Sequence, residues 1–202
     1  MNSDFKNERR LPPLRSIYFY LTEGCNLACR HCWIAPKFDA EGTYPTLPID
    51  LFETAIREAK PLGLQIVKLT GGEPLMHPDF INLLEIIRQE GLGLTIETNG
   101  VLCTSEKAAE IAKSKNRSVS VSFDGANADT HEWVRGVVGS FKNASQGVKN
   151  LVDAGISPQI IMTIMRKNLD QVEAVVRMAE NLGAGSVKFN FVQPVARGGV
   201  YG

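Results

Sequence analysis

Ser118-Val119-Ser120-Val121-Ser122-Phe123-Asp124 alternates strictly between apolar side chains and small polar or acidic ones. A period of two puts Val119, Val121 and Phe123 on one face of a strand and Ser120, Ser122 and Asp124 on the other. Five more short strands read out near 16–22, 65–70, 94–98, 159–165 and 186–192. In the last, Val187, Phe189 and Phe191 oppose Lys188 and Asn190. Lys68 and Thr70 share a face of the second strand, Thr95 and Glu97 a face of the third, and Thr163 interrupts the fifth. A parallel sheet covered by helices on both faces is apolar throughout. This pattern instead implies a curved sheet, packed on helices outside and lining a polar cavity inside. A flat sheet with one solvated face is the alternative.

Helical patterns separate most of the strands. Asp50 reads as the cap of a stretch that places Leu51, Phe52, Ala55, Ile56 and Ala59 together, with Glu53 positioned for a capping box. Pro78 opens a second helix that ends at Gly91, Ser105 and Ser140 read as caps of two more, and the last runs from Asn168 to Gly183. Strand alternating with helix gives right-handed βαβ units. The expected fold is α/β, a partial (β/α)6 barrel of parallel strands with a polar lumen. Residues 1–15 read as an N-terminal extension and 16–202 as one core domain, without internal linker or repeat.

The 202 residues are fewer than the ~250 of a complete eight-stranded barrel. Lys plus Arg (22) balance Asp plus Glu (22), so no basic footprint for nucleic acid is present. The longest apolar run, Ile17 to Leu21, is too short for a membrane span, and the first fifteen residues lack the apolar stretch of a secretory signal. A cytoplasmic protein is expected.

Three of the four cysteines fall within eight residues: Cys25, Cys29 and Cys32. In a reducing compartment such a group points to a metal site rather than a disulfide framework. Three thiolates at this spacing can ligate three irons of a cubane and leave the fourth open, whereas four would signal an electron carrier. A structural zinc held with His31 or Cys103 stays open on spacing alone. After the second strand comes Gly71-Gly72-Glu73-Pro74, after the third Thr98-Asn99-Gly100, and the fourth ends Ser122-Phe123-Asp124-Gly125, with His131-Glu132-x-x-Arg135-Gly136 downstream. Each alone is an ordinary turn. All lie at C-terminal strand ends, where α/β folds place ligands.

Cys25-x3-Cys29-x2-Cys32 followed by GGEP at 71–74 resembles the radical S-adenosylmethionine (radical SAM) enzymes. The resemblance runs on through TNG (98–100), SFDG (122–125), HEWVRG (131–136), GSF (139–141) and RKN (166–168), over about residues 16–200. It is similar to the branch whose members carry a C-terminal SPASM or related auxiliary-cluster domain. The resemblance implies a 4Fe–4S cluster on Cys25, Cys29 and Cys32, with SAM chelating its open iron. It implies that Gly71, Gly72 and Glu73 receive the methionine ammonium and that Ser122 and Arg135 contact ribose and carboxylate, with a pair between Arg135 and Asp124 or Glu132 as the other reading of that arginine. Thr98 and Asn99 are expected to border SAM. Asp124 is expected either to contact ribose or to cap the following helix, and Asn190 to face the cavity and reach the cofactor. His31 stands where the family has an aromatic residue, and Cys103 reads as a buried small hydrophobe.

In such enzymes the reduced cluster cleaves SAM to a 5′-deoxyadenosyl radical that abstracts hydrogen from substrate. The expected substrate is a peptide or protein side chain, with maturation of a small cofactor such as a modified haem as the alternative. A non-catalytic iron–sulfur electron carrier is the reading from another class. Ferredoxin or flavodoxin is the expected reductant. The substrate-side acid or base is not assignable. The branch continues into a cysteine-rich domain that this sequence does not show, so a truncated core is expected over a minimal one working with a partner.

Overall fold

The computed structural model describes residues 12–38 and 44–200. Most of the expected N-terminal extension therefore lies outside the described residues. Within it, Leu14 donates its N–H to Leu62 O, and Arg15 O accepts from Gln65 and Ile66, which leads the chain onto the sheet edge. Six strands follow: β1 (Ser16–Tyr20), β2 (Ile66–Thr70), β3 (Gly93–Thr98), β4 (Arg117–Ser122), β5 (Gln159–Ile164) and β6 (Ser186–Phe191). They pair in sequence order, every neighbour parallel, in one sheet that does not close. The fold class read from sequence is the one observed.

The register shows why the strands alternate. Tyr18, Lys68, Thr95 and Ser118 pair across one row, and Glu97, Ser120, Gln159 and Ser186 across another. These side chains line the inner face. Lys68 Nζ sits 2.7 Å from Glu97 Oε1 there, and 4.6 Å from the Tyr18 ring centre. The intervening residues Val67, Leu69, Leu94, Ile96, Val119, Val121, Ile160 and Met162 are fully or almost fully buried in the core. That core forms against α1 (Ile49–Ala59), α2 (Phe80–Gln89), α3 (Ser105–Ala112), α4 (Ala128–Arg135), α5 (Ser140–Asp153) and α6 (Val172–Asn181). Strand β6 departs from the pattern. It has one strand neighbour, and Phe191 on its nominal outer face stays 72% exposed.

Helix starts differ from the sequence reading for local reasons. Pro48, at φ −60° and ψ 140°, occupies the first cap, so α1 begins at Ile49, and Asp50 lies in its first turn without capping it. Thr104 rather than Ser105 caps α3, its hydroxyl accepting from Lys107 N. Gly139, left-handed at φ 82°, precedes α5 in place of a Ser140 cap. Asn168 precedes a short 3-10 turn before α6 and spends its side chain on Met165 N, Asp124 O and Thr163 O. Helix α4 enters the sequence reading only as the helix that Asp124 is expected to cap. Its signals were present: Asn127 accepts from Thr130 N, and Gly136 closes the helix at φ 73°. Among the described residues no helix is long and apolar enough to cross a membrane.

Helix α5 comes close to the turn after β3 through Gly147. A Cβ there would lie 2.1 Å from Gly100 O. Alanine in an open helix is favoured over glycine by ~1 kcal/mol, but here it meets backbone that must move. Gly147→Ala is expected to lower stability by about 1–3 kcal/mol; a raised thermal midpoint in a calorimetric comparison contradicts this packing.

Candidate functional site

The C-terminal strand ends surround a cavity of about 600 Å³. Its wall includes Cys25, Cys29, Cys32, Gly71, Gly72, Glu73, Thr98, Asn99, Ser122, Arg135 and Asn190, together with His31, Trp33, Glu97 and Thr163. Of the residues expected at a site, only Asp124 is not in the wall. Neither pairing of β6 nor its exposure removes Asn190, which faces the cavity as its parity requires.

The cysteine segment is fixed by backbone on two sides. Cys25 N donates to Lys37 O, while Ala28 N and Arg30 N donate to Arg135 O and Val134 O at the end of α4. Cys25 and Cys29 are buried and Cys32 is half-buried. Burial, reinforced by the nearby Glu73 carboxylate, pushes the Cys25 thiol up to about 12. Burial also pushes Cys29 up, opposed by the Arg135 guanidinium. A bound cation reverses that balance by favouring thiolate. Among the described residues no three His, Cys, Asp or Glu side chains gather as ligands of a single metal ion. A cubane asks for something else, one sulfur for each of three irons. Cys103 is buried in the main hydrophobic core, as the sequence suggested.

The GGEP turn lies against this segment through its own backbone. Gly72 N donates to Thr22 O and Glu73 N to Gly24 O, and a Cβ on Gly72 would fall 1.9 Å from Gly24 O. Glu73 is 1% exposed, and its carboxylate is taken up by protein donors: Thr98 Oγ1 at 2.6 Å, Asn99 N at 2.8 Å and Leu75 N at 3.0 Å. Burial pushes this carboxyl up, against those three hydrogen bonds and the charge of Lys107. Glu73 thus ties the second strand end to the third. Thr98 is one of its anchors, and Asn99 turns its amide toward Asn26 Oδ1 (2.7 Å) and Cys25 Sγ (3.9 Å).

Asp124 neither caps α4 nor faces the cavity. It is fully buried, and Asn127 does the capping. Its Oδ2 accepts from Arg135 Nη2 at 2.8 Å and from His31 Nε2 at 2.7 Å, and its Oδ1 from Thr163 N at 2.8 Å. Burial alone would raise this carboxyl, but Arg135 and His31 outweigh burial and hold it well below the usual carboxylate range. Arg135 is therefore paired within the protein as well as facing the cavity, and its Nη1 reaches Cys29 Sγ at 3.6 Å. Two buried nitrogens of the wall, His31 Nδ1 and Arg135 Nε, have no protein partner. The His31 link was not foreseen. Strand parity gives no signal for it, because β4 ends at Ser122 and Asp124 lies outside the cavity wall. At the rim Trp33, 60% exposed, meets Tyr20 edge-on at 6.3 Å.

Three soft donors on one cavity, an N–H aimed at one sulfur and unpartnered polar atoms beside it fit an iron–sulfur centre with a polar ligand.

Comparison with known proteins follows the same line. The model of the radical SAM superfamily matches residues 19–179. The chain is 35% identical over 186 residues to an AdoMet-dependent heme synthase of Methanosarcina barkeri, covering 91% of this chain and 52% of that protein. It is 34% identical over 193 residues to the mycofactocin maturase MftC of Mycolicibacterium smegmatis, covering 95% and 48%. The chain thus spans about half the length of these relatives. Streptococcus suis SuiB bound to S-adenosylmethionine superposes with a TM-score of 0.76 at 22% identity, over 91% of this chain and 42% of that one, a likeness of fold.

Two outcomes test this geometry. Gly72→Ala forces the GGEP turn off Gly24 O, and should lower both the thermal midpoint and the iron taken up on anaerobic reconstitution. His131, packed between Phe123 and Phe141, is held by burial, with help from Arg135, down to about 3. Its folded value lies below the unfolded ~6.5, so its contribution to stability is complete above pH 6.5 and is lost as pH falls toward 3. Urea midpoints should show about 2 kcal/mol lost between pH 7 and 5, and much less in His131→Phe.

Proposed function

The chain belongs to the radical SAM superfamily, and from that premise we propose that it is the core of an enzyme modifying a peptide or protein side chain. The observation that carries this is the opening of Cys25, Cys29 and Cys32 onto the same cavity as the GGEP turn and Arg135. Cys25, Cys29 and Cys32 hold a 4Fe–4S cluster and leave one iron for SAM. When bound, cluster and SAM together supply the electron transfer and carbon-centred radical that remove hydrogen from substrate.

The chain's own residues bind, orient and exclude water. Backbone carbonyls of Gly71 and Gly72 suit an ammonium, while Glu73, saturated by three donors, works mainly by fixing the turn. Arg135 offers Nε, its one nitrogen without a protein partner, to a carboxylate. Ser122 and Asn190 offer hydrogen bonds from β4 and β6, and Thr98 and Asn99 close the wall beneath. Asp124 acts on the ligand only through Arg135 and His31. The buried cysteines and the apolar flank of Leu27 and Ile161 keep solvent from the reacting atoms.

Peptide modification is supported by the maturase relatives MftC and the subtilosin biosynthesis protein AlbA of Bacillus subtilis, 29% identical over 181 residues. The heme synthase relative supports a second reading, maturation of a modified haem. A ferredoxin or flavodoxin is the proposed reductant. Anaerobically reconstituted chain with dithionite should cleave SAM to 5′-deoxyadenosine; Cys29→Ala should abolish this and Cys103→Ala should not. Cleavage by Cys29→Ala near the wild-type rate refutes the assignment. A cluster whose electron paramagnetic resonance spectrum ignores added SAM points instead to an electron carrier.

A further inference from the structure

His31 and Cys29 belong to one short segment, yet they are also joined the long way round. His31 Nε2 contacts Asp124 Oδ2, the same oxygen takes Arg135 Nη2, and Arg135 Nη1 reaches Cys29 Sγ. With Ala28 N and Arg30 N bonded to the end of α4, the path closes into a ring. Asp124 cannot rotate freely within it, because Thr163 N–H holds Oδ1 and Asn168 Nδ2 holds its backbone carbonyl. Arg135 therefore meets the carboxylate through one nitrogen, and a second remains for the sulfur. A carboxylate accepts, so Nε2 of His31 carries the proton in this contact, while Nδ1 is buried without a protein partner.

We propose that His31 is a positioning residue for the metal centre: through Asp124 it aims Arg135 at the Cys29 sulfur, and so sets how readily the centre takes up its electron. This rests on the reading that Cys25, Cys29 and Cys32 hold the cluster. An N–H donated to a ligand thiolate stabilises the more negative, reduced form and raises the reduction potential. The Arg135 side chain is 7% exposed, so little water competes for that bond. A flat apolar ring at position 31 would fill the same space and leave Asp124 one donor short. Arg135 could then swing into a two-pronged pair with the carboxylate and abandon the sulfur.

The test compares a variant that keeps shape with one that keeps the hydrogen bond. In the reconstituted full chain, His31→Phe should bind four irons, as wild type does, but show a more negative midpoint in a redox titration followed by electron paramagnetic resonance. His31→Gln, whose Nε2 can reach Asp124, should recover most of that shift. An unchanged midpoint in His31→Phe, or a midpoint in His31→Gln as low as in His31→Phe, overturns the proposal. The hydrogen bond is also read without metal, from the ¹⁵N spectrum of His31 in wild-type and Asp124→Asn chain. A hydrogen-bonded Nε2–H tautomer that Asp124→Asn disrupts is expected, and an Nδ1–H tautomer in the wild type overturns the proposal. Failure of the wild-type chain to take up four irons would count against the proposed function, while the tautomer would still decide the link.

Discussion

A carboxylate without access to water joins four parts of this chain. Asp124, at the end of the fourth strand, holds the cysteine segment through His31, the end of α4 through Arg135, the fifth strand through Thr163 N, and the turn before α6 through Asn168. Taking one charge out of water costs several kcal/mol, and an ion pair offsets this only when its remaining lone pairs are met. Here two further donors, His31 Nε2 and Thr163 N, meet them. The arrangement resists loss of any single partner, since each removal strands a buried charge. Stability and the shape of the cavity wall consequently depend on the same atoms.

A second carboxylate does a parallel task on the other side of the cavity. Glu73 takes Thr98 Oγ1, Asn99 N and Leu75 N, and so joins the ends of β2 and β3. Seen in sequence, Glu73 is a side chain offered to a ligand; seen in the fold, it is mostly spoken for by the protein. With that carboxylate engaged, the turn presents the backbone of Gly71 and Gly72 to the cavity. Gly72 lies so close to Gly24 O that no side chain fits between them.

Much of the architecture was legible because a strand's period fixes which side chains share a face. Residues 118–124 announced a sheet with one polar side, and the register bears this out from Tyr18 to Lys188. Cysteine spacing likewise announced a segment whose three thiols line one cavity. Less visible were features that depend on a partner far along the chain. A pair between Arg135 and Asp124 stands among the sequence readings of that arginine, but nothing local says that His31 joins it. Helix α4 leaves little periodic signal because its apolar face is short, its burial resting on Thr130, His131, Val134 and Arg135. Caps shifted by one or two residues where Pro48 and Gly139 impose their own backbone angles.

Strand order that copies sequence order has a consequence for biosynthesis. Each strand pairs with the one made just before it, so the sheet can grow steadily from its amino-terminal edge while the ribosome is still translating. The thiols appear early in that schedule, whereas the guanidinium that reaches Cys29 arrives 106 residues later. The surroundings of Cys29 are thus complete only once the fourth strand and α4 have been made.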